Sequence, residues 1–238
     1  MRPRSASGRG SPTGRGGGDA RPCSRLGWMK NMREIFVVTH PEATHHLEDR
    51  VGGWFDSHLS ARGAVHAACV ADALAAQVGP GAPVFTSDLA RTRETADAIA
   101  GHLGSTARPM FEFREKSYGV GEGQADSWFR ERFVPPPAHG ERMDHDEGIE
   151  GAETKRQWVR RVYAGMEVVL QDPAPQKVIV THGGSATFVI ARWIGMPVTA
   201  LDVVSFHLDP GGITHLREDD YFHNHAVVSL NETSHLEA

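Results

Sequence analysis

The stretch EIFVVTH, from Glu34 to His40, decides the fold. Ile35, Phe36, Val37 and Val38 form an unbroken, mostly β-branched apolar run. It reads as a buried parallel strand, because a strand covered on both faces needs no polar alternation. Outward from it, Ser60 caps a helix whose Val70, Leu74 and Val78 share a face with Ala67 and Ala71, and Gly79-Pro80 ends it. Val84–Thr86 is a second short strand, followed by a helix from about Asp88 to His102 and another strand near Pro109–Phe113. Lys116 to Gly151 is rich in Gly, Pro, His and acids, and reads as an insertion (116–151) over the sheet edge that carries substrate identity. A helix from about Ala152 to Leu170 stops before Pro173. Lys177–Thr181 is a buried strand, Gly183–Ile194 a helix, and Val203–Leu208, Ile213–Leu216 and Ala226–Leu230 three late strands. Strands alternating with helices over 34–238 predict an α/β domain with a mainly parallel sheet.

Composition sets the bounds. The 238 residues are 39% hydrophobic and 23% charged, which fits a globular chain. No apolar run approaches the roughly 18 residues of a membrane span, so no membrane partner is expected. Two cysteines, Cys23 and Cys69, make no disulfide framework and suit a cytoplasmic protein. Residues 1–33 hold seven Arg and one Lys against Asp19 alone and are crowded with Gly, Ser and Pro, so they read as a disordered basic tail. That tail is an extension, with Met29 or Met32 as alternative starts. The rest holds 17 basic and 29 acidic residues, which argues against nucleic acid. A homodimer stays open.

Ligands of open α/β sheets bind at the carboxyl ends of the parallel strands. His40 directly follows the first strand. Arg91 lies in the first turn of the helix after Val84–Thr86, and His182 directly follows Lys177–Thr181, where Gly183-Gly184 opens a helix. Two imidazoles, a guanidinium and helix N-termini at one point suit a phosphoryl group, with one histidine placed to attack phosphorus. Other signals are weaker. Gly119-x-Gly121-x-Gly123 lacks the strand-turn-helix of a dinucleotide site, and there is no G-x-S-x-G elbow. Asp144–Glu147 reads as a solvated acidic loop, Trp128 and Phe129 as packing for the insertion, and Glu115, taken alone, as solvated.

At these residues the chain resembles the phosphoglycerate-mutase-like branch of the histidine phosphatase superfamily. His40-Pro41-Glu42 with Glu48, Arg50, Gly53, Asp56, Leu59 and Gly63 is similar to its opening motif, and Ser87-Asp88-Leu89-Ala90-Arg91 with Thr95-Ala96 to its arginine segment. Arg114-Glu115 with Tyr118-Gly119 and Glu122-Gly123 is similar to its acid segment. Val180–Gly184 is similar to its second histidine motif, and Asn231–Leu236 to its ending. The resemblance implies a three-layer sandwich with helices on both faces of the sheet. It also implies hydrolysis of a small phosphomonoester through a phosphohistidine, with no cofactor and no metal. His40 would be the nucleophile, Arg91 and His182 would bind the phosphoryl oxygens, and Glu115 would protonate the leaving oxygen and then activate water.

Three positions depart from the pattern. The family's Arg-His-Gly is Thr39-His40-Pro41 here, His46 stands where many members have Asn, and Gly52 where many have Gln. Losing a charge-assisted donor at position 39 costs roughly 2.7–4 kcal/mol of transition-state stabilisation, about 10²–10³ in rate. One explanation keeps Thr39 and His46 as phosphate ligands, with His46, helped by His45, supplying the missing donor as an imidazolium. A second makes His40, His46 and His182 with Glu42 or Glu115 a metal site. A third makes the chain a catalytically weak member that binds a partner or a non-phosphate anionic ligand. A phosphoglycerate-type mutase is the further alternative, disfavoured by the residues after Glu115.

Overall fold

The computed structural model describes residues 32–237. The expected tail therefore lies outside the described residues, save that Arg33 already belongs to the first strand and pairs with Glu218 at 2.6 Å.

Six strands form one sheet: β1 (Arg33–Thr39), β2 (Val84–Ser87), β3 (Ala107–Met110), β4 (Gln176–Thr181), β5 (Ile213–Glu218) and β6 (His225–Glu232), in the order β3-β2-β4-β1-β5-β6. The first four in that order are parallel; β5 and β6 run antiparallel at one side. The apolar run of β1 splits by parity. Ile35 and Val37 pack against α5 (Lys155–Gln171) and α6 (Gly183–Trp193). Phe36 and Val38 pack against α2 (Ala61–Ala75) and α3 (Ala90–Leu103) on the other face. This is the three-layer sandwich, and it explains why neither parity of β1 could be polar. The helices that follow β1 and β4 cover opposite faces, so a crevice opens between those two strand ends.

Three boundaries differ from expectation, each for a local reason. Residues 203–208 are not a strand: Phe206 N–H donates to Thr187 Oγ1 and Val204 C=O accepts from Lys155 Nζ, so side chains take the bonds a neighbouring strand would. The strand expected near Pro109–Phe113 ends at Met110, the residue paired with the end of β2, and Phe111–Phe113 coils into a 3₁₀ turn. The helix expected from Ala152 starts at Lys155, because Thr154 and Gln157 form a reciprocal capping box there. Two short helices went unpredicted, α1 (Thr44–Leu47) and, inside the insertion, α4 (Asp126–Arg132). The insertion bonds to the 49–51 loop through Val51, Gln124, Asp126 and Asp49, and to α5 through Met143 and Arg156. Its Phe129 packs edge-on against Tyr118.

Candidate active site

Register builds the site. Thr39 of β1 lies opposite Thr181 of β4, so the next residues, His40 and His182, leave adjacent strand ends side by side, ring centroids 5.0 Å apart. Both are buried. His40 Nδ1 is 2.7 Å from its acceptor, Pro41 C=O. A carbonyl only accepts, so Nδ1 carries the proton and Nε2 of the neutral ring presents a lone pair. Arg91 Nε donates to that Nε2 at 3.2 Å. Burial first, then Arg91, then His46 and His45 hold the His40 pKa well below its usual value, so the lone pair stays available at neutral pH.

Arg91 is almost wholly buried, and its other donors brace the 53–57 loop: Nη1 to Phe55 C=O and Nη2 to Gly53 C=O, both at 2.8 Å. Burial lowers its pKa to about 10, with Glu115 the first of the carboxylates opposing the drop. It remains a cation. His182 Nε2 meets Ser87 Oγ at 3.0 Å, while its Nδ1 is buried without a partner. An orphan ring nitrogen on the wall of a polar cavity is a group awaiting a ligand.

Glu115 is not solvated. One carboxylate oxygen accepts from its neighbour's amide, Lys116 N, and the other from Gly184 N at the start of α6, both at 2.9 Å. Gly184 has to be glycine: a Cβ there would lie 2.4 Å from Trp158 and 2.6 Å from Glu115 Oε1. Burial raises the Glu115 pKa, partly offset by those two amides and by Arg91, which favours a carboxyl able to carry a proton. Gly63 is fixed in the same way, since a Cβ would meet Glu42 C=O at 1.9 Å where α2 crosses the segment after His40.

His40, Arg91, Glu115 and His182 line one cavity of about 210 Å³, together with Thr39, His45 and His46. The structure thus brings every expected residue to one place, but two of them differently from expectation. The Thr39 hydroxyl donates to Asp209 C=O at 2.5 Å and accepts from Gly212 N at 3.1 Å, so it staples the 209–212 loop and points no hydrogen at a ligand. His46 stands exposed at the rim, and its Nδ1 accepts from Ala43 N at 3.1 Å, leaving Nε2–H as a neutral donor. Burial of its inner edge and Arg91 lower its pKa, so it is no imidazolium in the unliganded protein. Its neighbour His45, ring centroid 4.0 Å away, is buried with Nδ1 2.6 Å from Ser57 Oγ and has its pKa lowered to about 3, chiefly by burial. A Cβ on Gly52 would lie 2.8 Å from His45 Nε2, so the His45 ring takes the space beside Gly52. Among the described residues no three His, Cys, Asp or Glu side chains are grouped so as to hold a metal ion, which removes support from the metal reading.

Sequence reasoning missed two supports of Glu115. Arg161 donates to the backbone carbonyls of Glu112, Arg114 and Glu115 and pairs with Glu153 at 2.7 Å. Trp54 Nε1 donates to Glu115 C=O at 2.8 Å. A signal for Arg161 existed: it is a charge three residues after Trp158 and four before Gly165, on the helix face that packs against Phe113.

A profile of the histidine phosphatase superfamily (branch 1) matches residues 35–233, and the chain belongs to that family. The "probable phosphoglycerate mutase GpmB" of Salmonella typhi is 30% identical over 182 residues, covering 71% of this chain and 78% of the relative. In fold the chain is similar to the mycobacterial glucosyl-3-phosphoglycerate phosphatase, with 20% identity, TM-score 0.67, and 85% and 100% of the two chains covered. It is similar to YhfR of Bacillus stearothermophilus as well, with 21% identity, TM-score 0.69, and 86% and 99% covered. Among the described residues no helix is long and apolar enough to cross a membrane.

Proposed function

We propose that the protein hydrolyses a small phosphomonoester through a phosphohistidine on His40. The observation that carries this reading is the His40 tautomer: Nδ1 is committed to Pro41 C=O, so the lone pair lies on Nε2, where Arg91 Nε donates to it until a phosphoryl group takes over that bond. Phosphorus is attacked by Nε2 as the ester P–O bond breaks, and the Glu115 carboxyl gives its proton to the leaving alkoxide. Ionised Glu115 then takes a proton from water, which attacks the phosphohistidine and releases phosphate and free His40. Among the described residues lining the cavity, Arg91 supplies the one permanent positive charge beside the transferring group. His182 Nδ1 and His46 Nε2–H are neutral donors to its oxygens. With Thr39 engaged by the 209–212 loop, donation from His46 takes the place of a guanidinium, and the rate is correspondingly modest.

The test is phosphate release from an aryl phosphate, with alkali-quenched protein assayed for phosphate bound at nitrogen. The native chain gives turnover and an acid-labile adduct, and His40→Ala loses both, turnover by at least about 10³-fold. Substantial turnover by His40→Ala would overturn the covalent route. Glu115→Gln slows esters of poor leaving groups more than activated aryl esters. A mutase would instead return an isomerised phosphate ester with little free phosphate.

A further inference from the structure

Beside the catalytic cavity runs a groove of about 520 Å³, in the size range of small-molecule sites, roughly 300–1,000 Å³. The two share His46 of α1 and Pro210 of the 209–212 loop, so groove and phosphate site adjoin between these two segments. A second hollow also meets the cavity, but the two residues it shares, His45 and His46, both belong to α1. The insertion has its own cavity of about 240 Å³, lined by Lys116, Arg142 and Lys155, which shares no lining residue with the catalytic one. The groove is therefore the direct way out for the group esterified to phosphate.

Its chemistry is mixed. Arg62 and His66 stand one turn apart on α2 with no side-chain partner among the described residues, and both offer donors. The same groove is lined by three carboxylates: Glu42, which accepts from Ser60 Oγ at 2.6 Å, Asp209, which accepts from Asn231 Nδ2 at 2.6 Å, and Glu237, which has no side-chain partner among the described residues. Pro210 and Leu236 add apolar surface. Three carboxylates around one guanidinium repel a carboxylate or a second phosphate. Donors interleaved with acceptors over an apolar patch instead match vicinal hydroxyls, which both donate and accept and whose carbons are apolar.

We propose that this groove binds an uncharged, polyhydroxylated alcohol, so that the preferred substrate is the phosphate ester of a sugar or polyol and not of a hydroxy acid. Arg62 and Glu237 are the specificity-determining pair. The proposal rests on the phosphatase reading above but is tested apart from it. In the full chain, kcat/KM for a hexose phosphate exceeds that for 3-phosphoglycerate by at least tenfold, with an aryl phosphate as reference. Glu237→Lys narrows that ratio about tenfold, and Arg62→Ala lowers the hexose phosphate about tenfold relative to the aryl ester. Equal or better turnover of 3-phosphoglycerate by the native chain overturns the proposal, as does a ratio that neither substitution moves. Failure to turn over any of the three esters counts against the phosphatase reading alone. Calorimetric titration of His40→Ala with hexose phosphate and with 3-phosphoglycerate then decides the groove: at least tenfold tighter binding of the hexose phosphate supports it, and equal or reversed affinity overturns it.

Discussion

The catalytic cavity and the insertion at 116–151 are held together by opposite means. In the cavity the reacting groups are held by backbone: His40 Nδ1 by Pro41 C=O, Arg91 Nη2 and Nη1 by Gly53 and Phe55, the Glu115 carboxylate by two amides, and the 112–115 backbone by Arg161. The insertion buries little beyond Met143, Ile149, Lys116 and Ser117, and beside a few backbone bonds to the 49–51 loop it is tied to α5 by charged pairs such as Arg156–Asp144, 2.6 Å apart at the surface. Backbone partners fix position without needing water, and so they set atoms in a desolvated site. Surface ion pairs are individually weak and set only an approximate docking. Change should therefore be ruinous in one region and mild in the other.

The largest break comes at Arg161. Its side chain and that of Glu153 are 9% and 15% exposed, so Arg161→Met takes the cation from Glu153 and leaves the Glu112 carbonyl without its donor, while Ser117 N, Ser185 Oγ and Trp54 Nε1 still reach Glu153, Arg114 and Glu115. Removing one partner of such a pair costs about 3–5 kcal/mol, and chemical denaturation should show it. A loss under 1 kcal/mol would mean that water takes over the arginine's role. Next is Gly184→Ala, whose Cβ has no room between Trp158 and Glu115. Overpacking there costs roughly 1–3 kcal/mol, and displacement of the Glu115 carboxylate should lower kcat more than it raises KM.

Acid sharpens the contrast. His40, His45 and His182 have folded pKa values below the unfolded 6.5, so the unfolded chain binds more protons. The stability they contribute is complete above pH 6.5 and is lost as pH falls through the lowered values, for His45 down to about 3. Each group takes away roughly 1.4 kcal/mol per pH unit inside its window. Denaturation midpoints measured from pH 7.5 to 5 should fall, and His45→Gln should fall less steeply. A flat native profile would place these rings in solvent. The smallest effect is Arg156→Ala on α5, whose partner Asp144 in the insertion is largely exposed, and the denaturation midpoint is expected to stay almost unchanged.

What the sequence disclosed divides along the same line. Glu34–Thr39 and Lys177–Thr181 were legible because burial on both faces writes itself as unbroken β-branched residues. Their following histidines were legible because strand ends are where such sheets bind ligands. Trp54 was not, and Arg161 showed only as a charge on a packed helix face, since their bonds to the 112–115 backbone join residues about 50 to 60 positions apart. Residues 203–208 misled for a related reason. Val204, Phe206 and Leu208 do face the core in alternation, but side chains of Thr187 and Lys155 satisfy their backbone instead of a strand. Glu115 needed the family pattern, because nothing local distinguishes it from a solvated acid.

The Thr39 staple carries a consequence for what a single substitution can do. Thr39 bonds to both Asp209 C=O and Gly212 N, and Asn231 grips Asp209 from the other side. Thr39→Arg removes a hydroxyl on which the loop depends, so it unfastens the loop before it can deliver charge. Strand end and loop form one unit, and position 39 can gain a cation only together with a rebuilt 209–212 segment.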